Sequence, residues 1–305
     1  VLADKRLHEI LLCPTRNNSK PVDKLNLTKY FEFVYNFSLG LNFSWYWEKI
    51  MDGYSIDYRF TFSDGRRMRF HFFVDQDTFK LIDKPIKNPS EWTKTEFHQC
   101  PNCSLDPKTT PYCPQAVHLE PIIRTFDDLV SYDPVHLEVI TSERIVSQET
   151  TVQKGASSMM GFLIANCGCP VTQFFIPMGR FHLPLANELE TLYRATSTYL
   201  LGQYFLKLED NPAELELDGL IRVYNEIQVV NQSMLKRLRS ATRTDSTVNA
   251  LILLDVYAAM TLMSIEESLD DIRHLFQPYL EKMRNLNQRL QQTDNHVKLS
   301  AGSEK

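Results

Sequence analysis

"IDYRFTFSDGRRMRFHFFV", Ile56–Val74, decides how the fold is read. Two runs of alternating residues flank a short polar reversal. Tyr58, Phe60 and Phe62 share one face of the first run; Met68, Phe70, Phe72 and Val74 share one face of the second. A period of two is that of a half-buried strand. Asp64-Gly65 supplies the chemistry of a tight reversal. The stretch predicts an antiparallel hairpin, with the basic residues of "SDGRRMRF" on its solvent face.

Working outward, "TFKLI" (Thr78–Ile82) predicts a third strand, and Lys84–Gln99 is polar, proline-dotted loop. "VHLEPIIRTFDDLV" predicts a helix with Pro121 near its start. "HLEVIT" and "RIVSQETTV" return to strand composition. "GASSMMGFLIANCGCP" predicts a short apolar helix stopped by Gly168 and Pro170. Upstream, "LHEILLC" predicts a short helix and "YFEFVYNF" a strand.

From Asn187 onward helical periodicity dominates. "ELETLYRATSTYLLGQYFLKL" places Leu189, Leu192, Tyr193, Thr196, Leu200 and Tyr204 on one side. "ELELDGLIRVYNEIQVVNQSMLKRLRS" and "VNALILLDVYAAMTLMSIEESLDDIRHLF" predict two more long helices, and Pro278 a break or kink. Strands segregated from helices give an α+β class. The expected architecture is an antiparallel sheet with a cysteine metal knuckle, then a C-terminal antiparallel helical bundle. The expected parts are 1–183, strand-rich with the metal site; 184–295, helical; and 296–305, a flexible tail.

At 305 residues and 43% apolar composition, the chain can bury a sizeable core. A net charge of −5 argues against a nonspecific grip on nucleic acid. The basic run at Lys236, Arg237, Arg239 and Arg243 reads as a solvated helix face. No segment reaches the roughly eighteen apolar residues of a membrane span. Six cysteines in this length are not a disulfide scaffold, so a reducing cytoplasm is expected.

"CPNCSLDPKTTPYCPQAVH" (Cys100–His118) gathers three of those cysteines. A Cys-x2-Cys turn brings two sulfurs to one side, and Cys113 follows. Zinc asks for four ligands, with sulfur at about 2.3 Å. Cys169, between Gly168 and Pro170, is the first choice for the fourth. Cys167, His118, His98 and the distant His182 are alternatives. Four thiolates also hold an iron–sulfur cluster, and spacing alone does not separate the two. Cys13 reads as a core thiol. A redox role for Cys100 and Cys103 is disfavoured, because Asp106-Pro107 and Thr110-Pro111 prevent the helix such motifs open.

His182 precedes a helix for which Asn187 and Glu190 form a capping box. A pocket built from His182, Glu190, Arg194 and Gln203 is the functional candidate, with Glu190 and Arg194 spaced to pair. Asn225, Asn231, Asn249 and Asp255 are polar positions on apolar helical faces, suited to interhelical hydrogen bonds or a cavity lining. No phosphate loop, nucleophile elbow or zinc-protease motif is present.

"HQCPNCSL", "YCPQAVHL", "SERIV", "GFLIANCGCP", "FHLPLANELETLYR" and "YLLGQYF", in that order, resemble an uncharacterised bacterial domain family of unknown function over Tyr54–Phe276. The resemblance implies a bacterial, cytoplasmic protein whose motif cysteines are Cys100, Cys103, Cys113 and Cys169. Cys167 departs from it, since a small residue such as Ser is expected there. The family supplies no activity.

The expectation is a noncatalytic, zinc-stapled module that binds a protein or small-molecule partner, with no nucleic acid and no membrane span. The competing expectation is an enzyme or redox sensor using an iron–sulfur cluster or the His182 pocket. A further expectation is self-association through the C-terminal helices, on Leu251, Leu254, Met260 and Leu262.

Overall fold

The computed structural model describes residues 53–82, 86–126, 128–241, 246–266 and 269–302, and all of them belong to one compact unit. The expected helix at "LHEILLC", the strand at "YFEFVYNF", Cys13 and Arg243 lie outside the described residues.

The hairpin forms as its alternation predicts. β1 (Tyr54–Phe62) pairs antiparallel with β2 (Arg67–Val74), in a register that sets Phe60 opposite Met68. Gly65 takes φ +85°, which its missing Cβ permits. Asp64 closes the turn by accepting from the Arg66 amide at 2.9 Å. Arg66 and Arg69 stay on the solvent side, paired with Asp64 and Asp57.

β1 also pairs with β3 (Pro134–Ile140), which pairs with β4 (Ile145–Thr151). The sheet is antiparallel throughout, in the order β2-β1-β3-β4. "TFKLI" does not form a strand. It contributes one isolated bridge, Leu81 to Val74, because the Asp75 side chain caps a turn over Asp77 and Thr78.

Ile56, Tyr58 and Phe60 of β1 and Val135, Leu137 and Val139 of β3 are buried on one face. That face is covered by α1 (Pro114–Phe126) and α2 (Val152–Asn166). Phe126 meets Phe60 edge-on at 5.4 Å and stacks on Phe70 at 5.4 Å. α1 begins earlier than expected, so Pro121 lies inside it. α2 sits close to β1 because residue 155 is glycine: a Cβ there would lie 2.6 Å from Phe60 Cε1.

A 3-10 turn (Val171–Phe175) and α3 (Ile176–Arg180) lead to α4 (Glu188–Leu208), α5 (Asp218–Ala241), α6 (Ser246–Glu266) and α7 (Asp270–Gly302). The last predicted helix is therefore two. The break falls at Leu269, in a left-handed conformation at φ +58°, and not at exposed Pro278. α7 runs to Gly302, through residues expected as tail.

α4 buries Leu192, Ala195, Thr196 and Tyr199, whereas Leu189, Tyr193, Leu200 and Tyr204 are exposed. Leu192 and Thr196 are buried as expected, but the helix is apolar on more than one side, so periodicity alone does not fix the width of the buried stripe. A second core joins α4 to Tyr224 of α5, Ala258 and Ile265 of α6, and Ile272 of α7. Met234 and Leu238 of α5 and Leu251 of α6 belong to the main core, so these two helices run through both. Leu254, Met260 and Leu262 are half-buried.

One helix among the described residues, Thr247–Ile265 of α6, is long and apolar enough to cross a membrane by length and composition alone. It packs against α2 and α5. Asp255 on it accepts a 3.1 Å hydrogen bond from Asn231 of α5.

Candidate ligand cavity and cysteine cluster

Cys100 and Cys103 stand at the two ends of a turn closed by the Cys103 amide donating to the Cys100 carbonyl at 3.0 Å. Cys169-Pro170 opens a similar turn, with the Thr172 amide 3.2 Å from the Cys169 carbonyl. Proline in second position favours such turns by fixing φ. Cys113 sits just before α1, its amide donating to the Thr93 carbonyl at 2.8 Å.

These four cysteines line one enclosed space of about 20 Å³. Cys167, His98 and His118 do not line it. Cys167 is buried elsewhere, its thiol donating to the Ile164 carbonyl at 3.3 Å. Burial pushes the Cys100 thiol above its usual range; the Ser233 hydroxyl opposes the shift, and the other three sulfurs reinforce it. Burial also raises Cys169, opposed by the backbone N–H groups of Val171 and Thr172 at its sulfur. Among the described residues, no group of three or more His, Cys, Asp or Glu side chains is arranged to hold a metal ion as it stands.

The cluster is tied to the helices. Asn102 donates to the Glu226 carbonyl at 3.0 Å. Arg237, expected on a solvated face, is 1% exposed and donates to the carbonyls of Trp92, Lys94 and Thr95 at 2.8, 2.7 and 3.0 Å. It holds the lead-in to the cysteine loop against α5.

The larger cavity, about 350 Å³, lies among β4, α2, α3, α4, α5 and α6. His182 and Arg194 line it as expected; Glu190 and Gln203 do not. Glu190 completes the predicted capping box, accepting from the Asn187 amide at 2.8 Å while its own amide donates to Asn187 Oδ1 at 2.9 Å. Gln203 accepts from the Glu214 amide at 2.8 Å. The expected Glu190–Arg194 pair does not form: Arg194 Nη2 donates instead to the carbonyls of Met178 at 2.6 Å and Phe181 at 3.2 Å. Asn231 lines the cavity and bonds Asp255, so both readings of that position hold. Asn249 donates to Ser131 at 2.8 Å, and Asn225 is exposed.

His182 Nε2 lies 2.5 Å from the hydroxyl of Tyr58, a fully buried residue on the inner face of β1. Tyr58 escaped the sequence reading because its spacing marks it only as core. Together with Gly179, His182 also lines a neighbouring space of about 270 Å³ beside Tyr54 and Arg180. Burial, helped by the Arg194 charge, lowers the His182 pKa to about 3. The ring is neutral near pH 7, so it suits a hydrogen-bonding wall better than a general base.

This fixes a pH dependence. The unfolded chain binds a proton near pH 6.5 that the folded chain refuses until about 3. Stability contributed by neutral His182 is therefore complete above pH 6.5 and is lost as pH falls below it, at up to about 1.4 kcal/mol per unit. Between pH 6.5 and 5, before most carboxylates titrate, urea unfolding of His182→Gln should show a flatter slope than the parent. Equal slopes would mean that His182 is protonated in the fold.

Comparison with curated proteins and with solved structures finds no match. A family model described as a domain of unknown function (DUF6901) matches residues 56–277, from β1 into α7. The chain belongs to that family.

Proposed function

We propose that the protein is a noncatalytic binding module in which the helical half holds a small-molecule ligand and a zinc ion staples the cysteine loop to the end of α2. The carrying observation is the cavity of about 350 Å³, within the range of roughly 300–1,000 Å³ typical of small-molecule sites. Its histidine is held neutral and is engaged by the Tyr58 hydroxyl.

The staple is supported by four thiols around one water-sized space, two of them on Cys-Pro turns, and by N–H groups at the Cys169 sulfur. Zinc binding would deprotonate the thiols, replace mutual repulsion with attraction and close the cluster. Four thiolates leave no open coordination position, so the ion would supply folding energy. Free thiols suit a reducing compartment.

Elemental analysis and a visible spectrum of untagged protein test the staple. One zinc per chain without colour is expected. Iron with acid-labile sulfide would replace zinc by a cluster, and no metal would remove the staple. Saturation-transfer NMR with 1-octanol tests the cavity. Gly161 lines it, and a Cβ there meets nothing nearer than Leu254 at 3.6 Å. Gly161→Leu should therefore fill the space and abolish octanol binding. Binding that survives in this variant would remove the cavity as the site.

A further inference from the structure

The larger cavity has two cations among its lining residues, Lys154 and Arg194, and no carboxylate, although the chain as a whole carries a charge of −5. Arg194 is half-buried, and only its Nη2 is committed, to the carbonyls of Met178 and Phe181. Its Nη1 and Nε make no hydrogen bond among the described residues. Glu190 acts on Arg194 through space, but its carboxylate serves the Asn187 cap. Lys154 and Gln148 are exposed, at the mouth. The walls offered to the rest of a ligand are apolar: Ile164, Phe175, Met178, Ile227 and Leu254.

We infer that this cavity takes an amphipathic anion, with a compact carboxylate head on the uncommitted N–H groups of Arg194 and an apolar body against Ile164, Met178 and Leu254. The inference rests on the ligand-binding reading above. Nη1 and Nε each present a charged N–H donor to a carboxylate oxygen, and such charge-assisted bonds are the stronger kind. Burial disfavours the Arg194 charge; Tyr224 and Glu190 oppose that only in part, and no carboxylate in the cavity offsets the rest. An incoming anion would. Lys154 at the mouth would attract the same charge from solvent in a salt-dependent way.

Calorimetry with octanoate and 1-octanol, equal in chain length, tests this on the full chain. Octanoate should bind the parent at least about tenfold tighter, the effect of a hydrogen bond to a charged group. Arg194→Gln should bring octanoate down to the octanol level, with Arg194→Lys between. Because Arg194 also ties two carbonyls, Lys154→Gln is the variant least exposed to misfolding. Its octanoate affinity should fall a few-fold and lose part of its salt dependence. Octanol binding as tightly as octanoate, with Gly161→Leu abolishing both, would overturn the anion inference and leave the cavity reading standing. Failure of both probes to bind, or binding that survives Gly161→Leu, would overturn the two together.

Discussion

Arg237→Ala is expected to cost roughly 4 kcal/mol or more in urea unfolding, since it strips three carbonyls, two of them buried, of their donor and empties a large side-chain volume. The guanidinium is 1% exposed, and its three bonds reach across to residues 92–95 from α5. Two of those acceptors cannot recruit water easily, since Thr95 is fully buried and Trp92 nearly so, while Lys94 is half-buried. An unpaired buried carbonyl costs about 1–3 kcal/mol. Arg237→Lys keeps the charge but replaces a planar fork with a point donor, so it should recover less than half the loss. Exposed Arg239 is the internal control, and Arg239→Ala should stay within about 0.5 kcal/mol of the parent. The same loss should loosen the cysteine loop, seen as faster labelling of Cys100 and Cys103 by a thiol reagent in Arg237→Ala. A variant as stable as the parent would mean that these bonds add nothing net.

The position of Arg237 also shows where sequence reading stops. "KRLRSATR" looks like a solvated charge run, yet Met234, Arg237 and Leu238 stand at the i, i+3, i+4 spacing of one buried face. The pattern was present, but charge outweighed it, because an arginine enters a core only where partners wait. Those partners are backbone carbonyls about 140 positions upstream, which no local pattern announces. The hairpin was legible because alternation and turn chemistry are both local. The capping box at Asn187 was legible for the same reason. The cavity was half legible: His182 and Arg194 were found from their place beside that cap, while Tyr224 in its lining and Tyr58, which bonds His182, come from elements distant in sequence. Pro278 misled because a proline on the exposed side of a helix frees a carbonyl that water can satisfy, so α7 continues through it.

The cysteines set the second large effect. Structural zinc supplies about 10–16 kcal/mol of apparent binding energy to small domains. Losing one of four thiolates should remove about a quarter of that, or roughly 3 kcal/mol, which is more than a hundredfold in affinity. Cys169→Ser should therefore release zinc to a chelator that the parent resists, and melt at a lower temperature. Cys167→Ser should do neither. Its side chain is buried against the Ile164 carbonyl and Thr172, outside the cysteine-lined space, and a serine hydroxyl can donate to the same carbonyl. The two substitutions are two residues apart and differ by the same single atom, so a general loss of packing would affect both. Zinc lost from Cys167→Ser but kept in Cys169→Ser would exchange the two roles. Zinc kept fully in both would take the fourth ligand away from this turn, and with it the link from the cysteine loop to the end of α2.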